Sequence, residues 1–300
     1  MNFKLLTRAW LFVAALLSAN LVLADSPVWK VVKDGRVHYL GGTIHVLKPS
    51  DYPLPAVFDR AYDLADTIVF ETDVLDMASV AREAARMLRY PADEALFDHL
   101  DDATQARLSQ WLDAHNIPAS MVSRFKPGAL LISLVSEELK RLGVTSRGVD
   151  HHFAERAVAD DKVVVALETP AHQIGFLAQL GEGNENRFVN YILDDMALLD
   201  SQFDDIRLAW RGGDPDTLIE ASGIDRLQRD FPQFYQTLLV QRNNRWLPQL
   251  LALFDSGDSS NDLSAGSSLV LVGALHLVGE DGLINLLQSR GYRIEPFKTD

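Results

Sequence analysis

The chain has 300 residues, 47% of them hydrophobic and 23% charged, a balance that excludes a disordered chain and a multi-span membrane protein. Asp and Glu outnumber Lys and Arg 42 to 28, for a formal charge of -14. The basic surface that nucleic-acid phosphates require is missing, so nucleic acid is set aside as a partner. The absence of cysteine rules out disulfides, thiolate metal sites, iron–sulfur clusters and a cysteine nucleophile, and leaves nitrogen and oxygen ligands.

At the amino terminus, Lys4 and Arg8 precede an apolar run that closes on Val22, Leu23 and Ala24. That order predicts a secretory signal peptide over residues 1–24, cleaved after Ala24. The run, about 15 residues, falls short of the ~20 a spanning helix needs. The expectation is an exported, periplasmic protein without stable membrane insertion after cleavage.

Asp34-Gly35 between the β-rich runs 28–32 and 36–40 predicts a hairpin. Its second strand leads into Gly41-Gly42-Thr43-Ile44-His45, a proline-bearing loop over 49–55, a short amphipathic helix over 56–64, and a buried strand over 67–70 that ends at Glu71. Helical spacing then recurs over 80–88, 103–114, 128–142, 151–158, 171–180, 184–199, 216–221 and 224–250. These form a large helical insert, about 78–249, interrupted by a strand-like run over 163–167 that ends at Glu168. A Ser, Gly and Asp-rich loop over 255–268 precedes a buried strand over 269–272, Gly273-Ala274-Leu275-His276, a helix over 280–288 and a closing strand over 292–297. No linker divides the chain, so residues 25–300 are expected to form a single domain.

Strand, Gly-x-x-His, helix, strand thus occurs at both ends of the chain. Each such unit crosses over right-handed with its strands parallel, and ligands of open sheets bind at the carboxyl edge. The expected fold is α/β, a mostly parallel sheet built from two βαβ units, with His45 and His276 facing each other if both units share one sheet. Glycine before each histidine permits a sharp turn and close approach of a ligand to the backbone, which points to Gly42 and Gly273 as binding positions.

Neutral imidazole is the commonest metal ligand, and hydrolytic sites draw three ligands from histidine and carboxylate with a position left for water. His45, His276 and Glu71 are the candidates. Glu71 follows a buried run directly, a costly place for an unpaired carboxylate; Asp73 is the alternate on the same face. His38, His99, His115 and His172 read as surface or packing residues. His151 and His152 diverge by ~100° on a helix and cannot share a metal, and Asp150 before them reads as a helix N-cap. Arg242, in the long helix, fits either a solvated face or a group that holds a carboxylate or an oxyanion. No His-Glu-x-x-His, phosphate-binding loop or Gly-x-Ser-x-Gly elbow is present.

The stretches Tyr39-Leu40-Gly41-Gly42-Thr43-Ile44-His45-Val46, Val69-Phe70-Glu71-Thr72-Asp73, Gly148-Val149-Asp150, Leu167-Glu168-Thr169, Arg242-Asn243 and Val272-Gly273-Ala274-Leu275-His276, in that order, resemble the TraB/PrgY/GumN family, whose animal relatives include the TIKI metalloproteases. The resemblance puts the paired Gly-x-x-His motifs on Gly42 with His45 and Gly273 with His276, the acidic position on Glu71 and the arginine on Arg242. It implies an erythromycin esterase/ChaN-like arrangement and a metal-dependent peptide hydrolase using zinc, manganese or cobalt on a peptide or protein substrate. In that reading His45, His276 and Glu71 hold the cation, with general base as the other role for Glu71, and Arg242 is an electrostatic stabiliser or a clamp for a substrate carboxylate. The alternative is a non-enzymatic protein of the cell envelope that binds and sequesters peptides.

Overall fold

A computed structural model describes residues 26–255 and 266–299. The predicted signal peptide lies outside the described residues, as does most of the loop expected over 255–268. Six strands form one mixed sheet in the order β4-β3-β5-β2-β1-β6. They are β1 (Val28–Lys33), β2 (Arg36–Thr43), β3 (Thr67–Phe70), β4 (Val163–Ala166), β5 (Ser268–Gly273) and β6 (Arg293–Pro296). β1 is antiparallel to β2 and to β6, whereas the β4-β3, β3-β5 and β5-β2 pairs are parallel. The hairpin turns at Asp34 and Gly35, both with positive φ, as a tight two-residue connection requires.

Both predicted βαβ units lie in this sheet, interleaved. β5 is inserted between β2 and β3, which makes the two Gly-x-x-His segments direct neighbours with Thr43 opposite Gly273. Central parallel strands are covered on both faces and read as continuous apolar runs. Here Tyr39, Ile68, Phe70, Leu269 and Leu271 face one side, where α1 (Ala56–Leu64), α5 (Val149–Ala159) and α8 (Leu199–Gly212) bring Phe58, Phe153 and Trp210. Leu40, Val69, Val270 and Val272 face the other, under Trp246, Leu250 and Phe254 of α11 (Gln241–Asp255) and Leu283 and Leu287 of α12 (Leu283–Gln288). The helices between β3 and the end of the insert, α2 (Met77–Met87), α3 (Asp102–Ala114), α4 (Pro127–Arg141), α6 (Pro170–Ala178), α7 (Glu185–Met196), α9 (Pro215–Ser222) and α10 (Ile224–Asp230), include a subset with its own core around Leu108, Leu130, Leu134, Phe188 and Ile192. Among the described residues no helix is long and apolar enough to cross a membrane.

Two expectations need correction. The helix expected over 224–250 is broken at Phe231-Pro232, where the proline drives Phe231 to φ -138°, ψ 64°; a helical turn, a π-helical turn (Gln236–Val240) and α11 follow without interruption. α8 was not anticipated, because its buried side chains, Phe203, Ala209 and Trp210, are sparse among charged residues. The strand expected over 163–167 is present as β4, an edge strand exposed along its length.

Candidate active site

At the carboxyl edge of the sheet, β2 delivers His45, β3 delivers Glu71, and β5 delivers Gly273 and, one turn on, His276. Glu71 is 5% exposed. Its Oε1 accepts the Gly273 N–H (2.6 Å), and its Oε2 accepts Arg242 Nη2 (2.5 Å) and, more weakly, Gln173 Nε2 (3.4 Å). Burial by itself raises the Glu71 carboxyl, but the electrostatic pull of His276, of Arg242 and of His45, with the Gly273 N–H, outweighs it and holds the group at about 2. Gly273 has a specific steric role, since a Cβ there would stand 3.2 Å from Glu71 Oε1, 3.6 Å from His45 Nε2 and 3.6 Å from His276 Cδ2. The missing side chain leaves a cradle on which these groups converge. Gly42 faces elsewhere: a Cβ would press on Ala274 at 3.0 Å, and its carbonyl accepts Trp210 Nε1. It serves packing beneath the site.

The two histidines are held differently. His276 is 4% exposed. Its Nδ1 lies 2.7 Å from Asn243 Oδ1, while Asn243 Nδ2 donates to the carbonyls of His276 and Asp281. Asn243 Oδ1 is therefore the acceptor, Nδ1 carries the proton and Nε2 carries the lone pair, which faces Arg242 Nη1 at 2.9 Å. Burial, reinforced by Arg242 and only partly opposed by Glu71, lowers its pKa to about 3. The His45 side chain is 56% exposed and its Nδ1 sits 3.0 Å from Asp150 Oδ1, so Nε2 looks into the cleft. The protein walls around it lower its pKa, but the charge and hydrogen bond of Asp150, with Glu71 behind, raise it to about 9.

Arg242 follows the π-helical turn at the start of α11, a distortion often found at functional sites. Nε donates to Glu168 Oε2 (3.3 Å), Nη2 to Glu168 Oε1 (2.6 Å) and Glu71 Oε2 (2.5 Å), and Nη1 to Leu238 O (3.4 Å) and His276 Nε2 (2.9 Å). All five N–H groups are thus spent. In this arrangement none is free for a further carboxylate. Glu168 has a fully buried side chain and continues the strand pairing, its N–H donating to Glu71 O. Burial raises its carboxyl against the pull of Arg242.

Sequence reasoning missed Asp150, Glu168 and Asn243. Asp150 is not the N-cap, which is Gly148; it lies one residue inside the helix and turns its carboxylate to His45. The signal for Glu168 was present, because it follows a β-branched run as Glu71 does. The alternate Asp73 is exposed and accepts the N–H groups of Leu75 and Asp76, away from the cluster. His151 and His152 do not join it. His38 is buried and stacked on Phe254.

Above the cluster opens a cavity of about 480 Å3, lined by Thr43, His45, Glu71, Thr72, Asp150, Gln173 and Arg242 together with apolar side chains of the insert. The TraB/PrgY/gumN family model matches residues 27–296. The chain belongs to this family. It is 26% identical to the uncharacterized protein YbaP of Escherichia coli (strain K12) and, to the same extent, to that of Shigella flexneri, over 275 residues that cover 87% of this chain and 92% of each relative. No solved structure matches it significantly.

Proposed function

We propose that this family member is an exported, periplasmic hydrolase of peptide bonds that uses a divalent cation, zinc, manganese or cobalt, in a sheet arrangement like that of the erythromycin esterase and ChaN-like proteins. The observation that carries this reading is the convergence of His45 Nε2 and Glu71 Oε1 on the cradle left by Gly273, at the floor of the cavity. Charge supports it. With His45 neutral, the carboxylates of Asp150, Glu71 and Glu168 exceed the single guanidinium of Arg242 by two negative charges, an excess that a divalent cation offsets. The anchoring of each histidine Nδ1 on an acceptor oxygen is the arrangement that fixes ligand tautomers in metal sites.

His45 and Glu71 would hold the cation, and His276 joins them only when Arg242 releases its Nε2. Among the described residues no preformed group of three or more such ligands stands together, consistent with that one obstructed lone pair. A bound cation supplies Lewis acidity, acidifying water and polarising a carbonyl. The chain's own groups do the rest. Asp150 holds the His45 ring with Nε2 toward the cavity, Gly273 N–H fixes Glu71, and the Arg242 charge favours an oxyanion forming nearby.

Elemental analysis of the purified protein beside His45→Ala, with mass spectrometry of peptides incubated with and without chelator, tests this. Expected are metal lost in the variant and chelator-sensitive cleavage. Equal metal content together with intact peptides that remain bound would replace the hydrolase by the sequestering protein.

A further inference from the structure

The insert turns an apolar wall toward the site. Val80 of α2, Ile132 of α4, Ile174, Phe176 and Leu177 of α6, and Leu238 of the π-helical turn line the cavity that also holds Glu71 and His45. Part of this wall is not consumed by the insert's own packing, since Ile132 is 37% exposed. No ionisable side chain lies among these six residues. Among the charged groups of the cavity, Arg242 has no spare N–H, Glu71 is held by Arg242 and Gly273, and Asp150 is paired with His45, whose open Nε2 is the atom that the hydrolase reading gives to the cation.

A charged side chain lying on this wall would give up its water against apolar groups that cannot replace it. An apolar one gains by removing its own surface, and that of the wall, from water. We infer that the wall is a specificity subsite, and that the substrate is a peptide carrying an uncharged, leucine- or phenylalanine-sized side chain beside the scissile bond. This rests on the hydrolase reading for the word scissile, whereas the apolar acceptor itself rests only on the wall.

The test uses blocked hexapeptides that differ at one central residue, Leu, Phe, Ala, Glu or Lys, incubated with the Mn2+-loaded protein and followed by mass spectrometry. The Leu and Phe peptides are expected to exceed the Ala peptide by about tenfold or more in kcat/KM, the scale on which apolar pockets discriminate, and the Glu and Lys peptides by more. Ile132→Lys, at a partly exposed helix position, is expected to shift the Glu-to-Leu ratio toward Glu by about tenfold; Ile132→Ser, expected to shift it less, serves if the lysine variant fails to fold by circular dichroism. Equal kcat/KM across the five peptides, or an unchanged ratio in both variants, overturns the subsite and leaves the hydrolase standing. If every peptide stays intact, the hydrolase fails, and fluorescence anisotropy of the labelled peptides reads the wall alone. Tighter binding of the Leu than of the Glu peptide by about tenfold then sustains the subsite, and equal or absent binding overturns it.

Discussion

The two Gly-x-x-His segments have the same spacing, lie on adjacent parallel strands and end at the same edge, yet they produce histidines of opposite character. His45 is open to the cavity, anchored on a carboxylate and pushed up to about 9; His276 is sealed, anchored on a neutral amide, and pushed down to about 3. The motif places a ring at the end of a strand. Its charge is decided by what arrives from elsewhere in the chain, Asp150 from α5 in one case, Asn243 and Arg242 from α11 in the other. The difference gives the segments separate settings: His45 opens to the cavity, and His276 meets the guanidinium that keeps Glu71 and Glu168 together.

The largest test removes that guanidinium. Arg242→Ala leaves two buried carboxylates without their counter-charge, and loss of one partner of a buried pair costs about 3–5 kcal/mol. Denaturant unfolding should show that loss, and a change below ~1 kcal/mol would contradict the ion cluster as drawn. Next comes acid. His276 and His38 have folded pKa values below the ordinary 6.5, about 3 and about 4, burial being the main cause in both. The unfolded chain therefore binds protons first, and stability falls as pH drops below 6.5, levelling once the folded rings titrate. His45 acts in the other direction, its contribution being complete below 6.5 and lost as pH rises through about 9. Replacing His38 by Leu should remove up to ~3 kcal/mol of the acid-side slope, measured as unfolding free energy between pH 7 and 4; an unaltered slope would show that His38 is not buried as a neutral ring.

Alanine at each motif histidine sharpens the contrast. His276→Ala strands Asn243 Oδ1 and Arg242 Nη1 and is expected to cost ~2–3 kcal/mol, whereas His45→Ala changes stability by no more than ~1 kcal/mol and acts on metal content. Equal destabilisation by the two would erase that contrast.

The strand that ends at Glu71, the hairpin, both Gly-x-x-His turns and most of the helices were legible because each is a local pattern: an Asp-Gly turn, an apolar run of strand length, a helical repeat. That the two Gly-x-x-His segments share one edge was legible only as a conditional, since strand order is not written in any one segment; the parallel pairing of β5 with β2 settles it. What stayed hidden are partners chosen across the chain. Asp150 reaches His45 over 105 positions and Arg242 reaches Glu168 over 74, and Asp150 near a helix start has an ordinary local explanation that conceals the second one. Glu168 could have been found by the argument applied to Glu71, a carboxylate placed directly after an apolar strand.

The smallest test makes the two segments alike. Asp150→Asn gives His45 the kind of partner His276 already has, an amide oxygen that still accepts from Nδ1 but carries no charge. The ring orientation should survive while the main cause of the raised pKa disappears, so the His45 midpoint, followed by NMR titration, should fall from about 9 toward 6.5. Basicity at Nε2 falls with it. Loss of such a supporting carboxylate typically weakens metal binding 10–100-fold, and because the amide preserves the hydrogen bond, Mn2+ affinity measured by calorimetry should drop by about tenfold, the lower end of that range. A lowered midpoint with unchanged affinity would separate the charge of Asp150 from ligand strength. An unchanged midpoint would mean that Glu71, and not Asp150, sets the protonation of the open histidine.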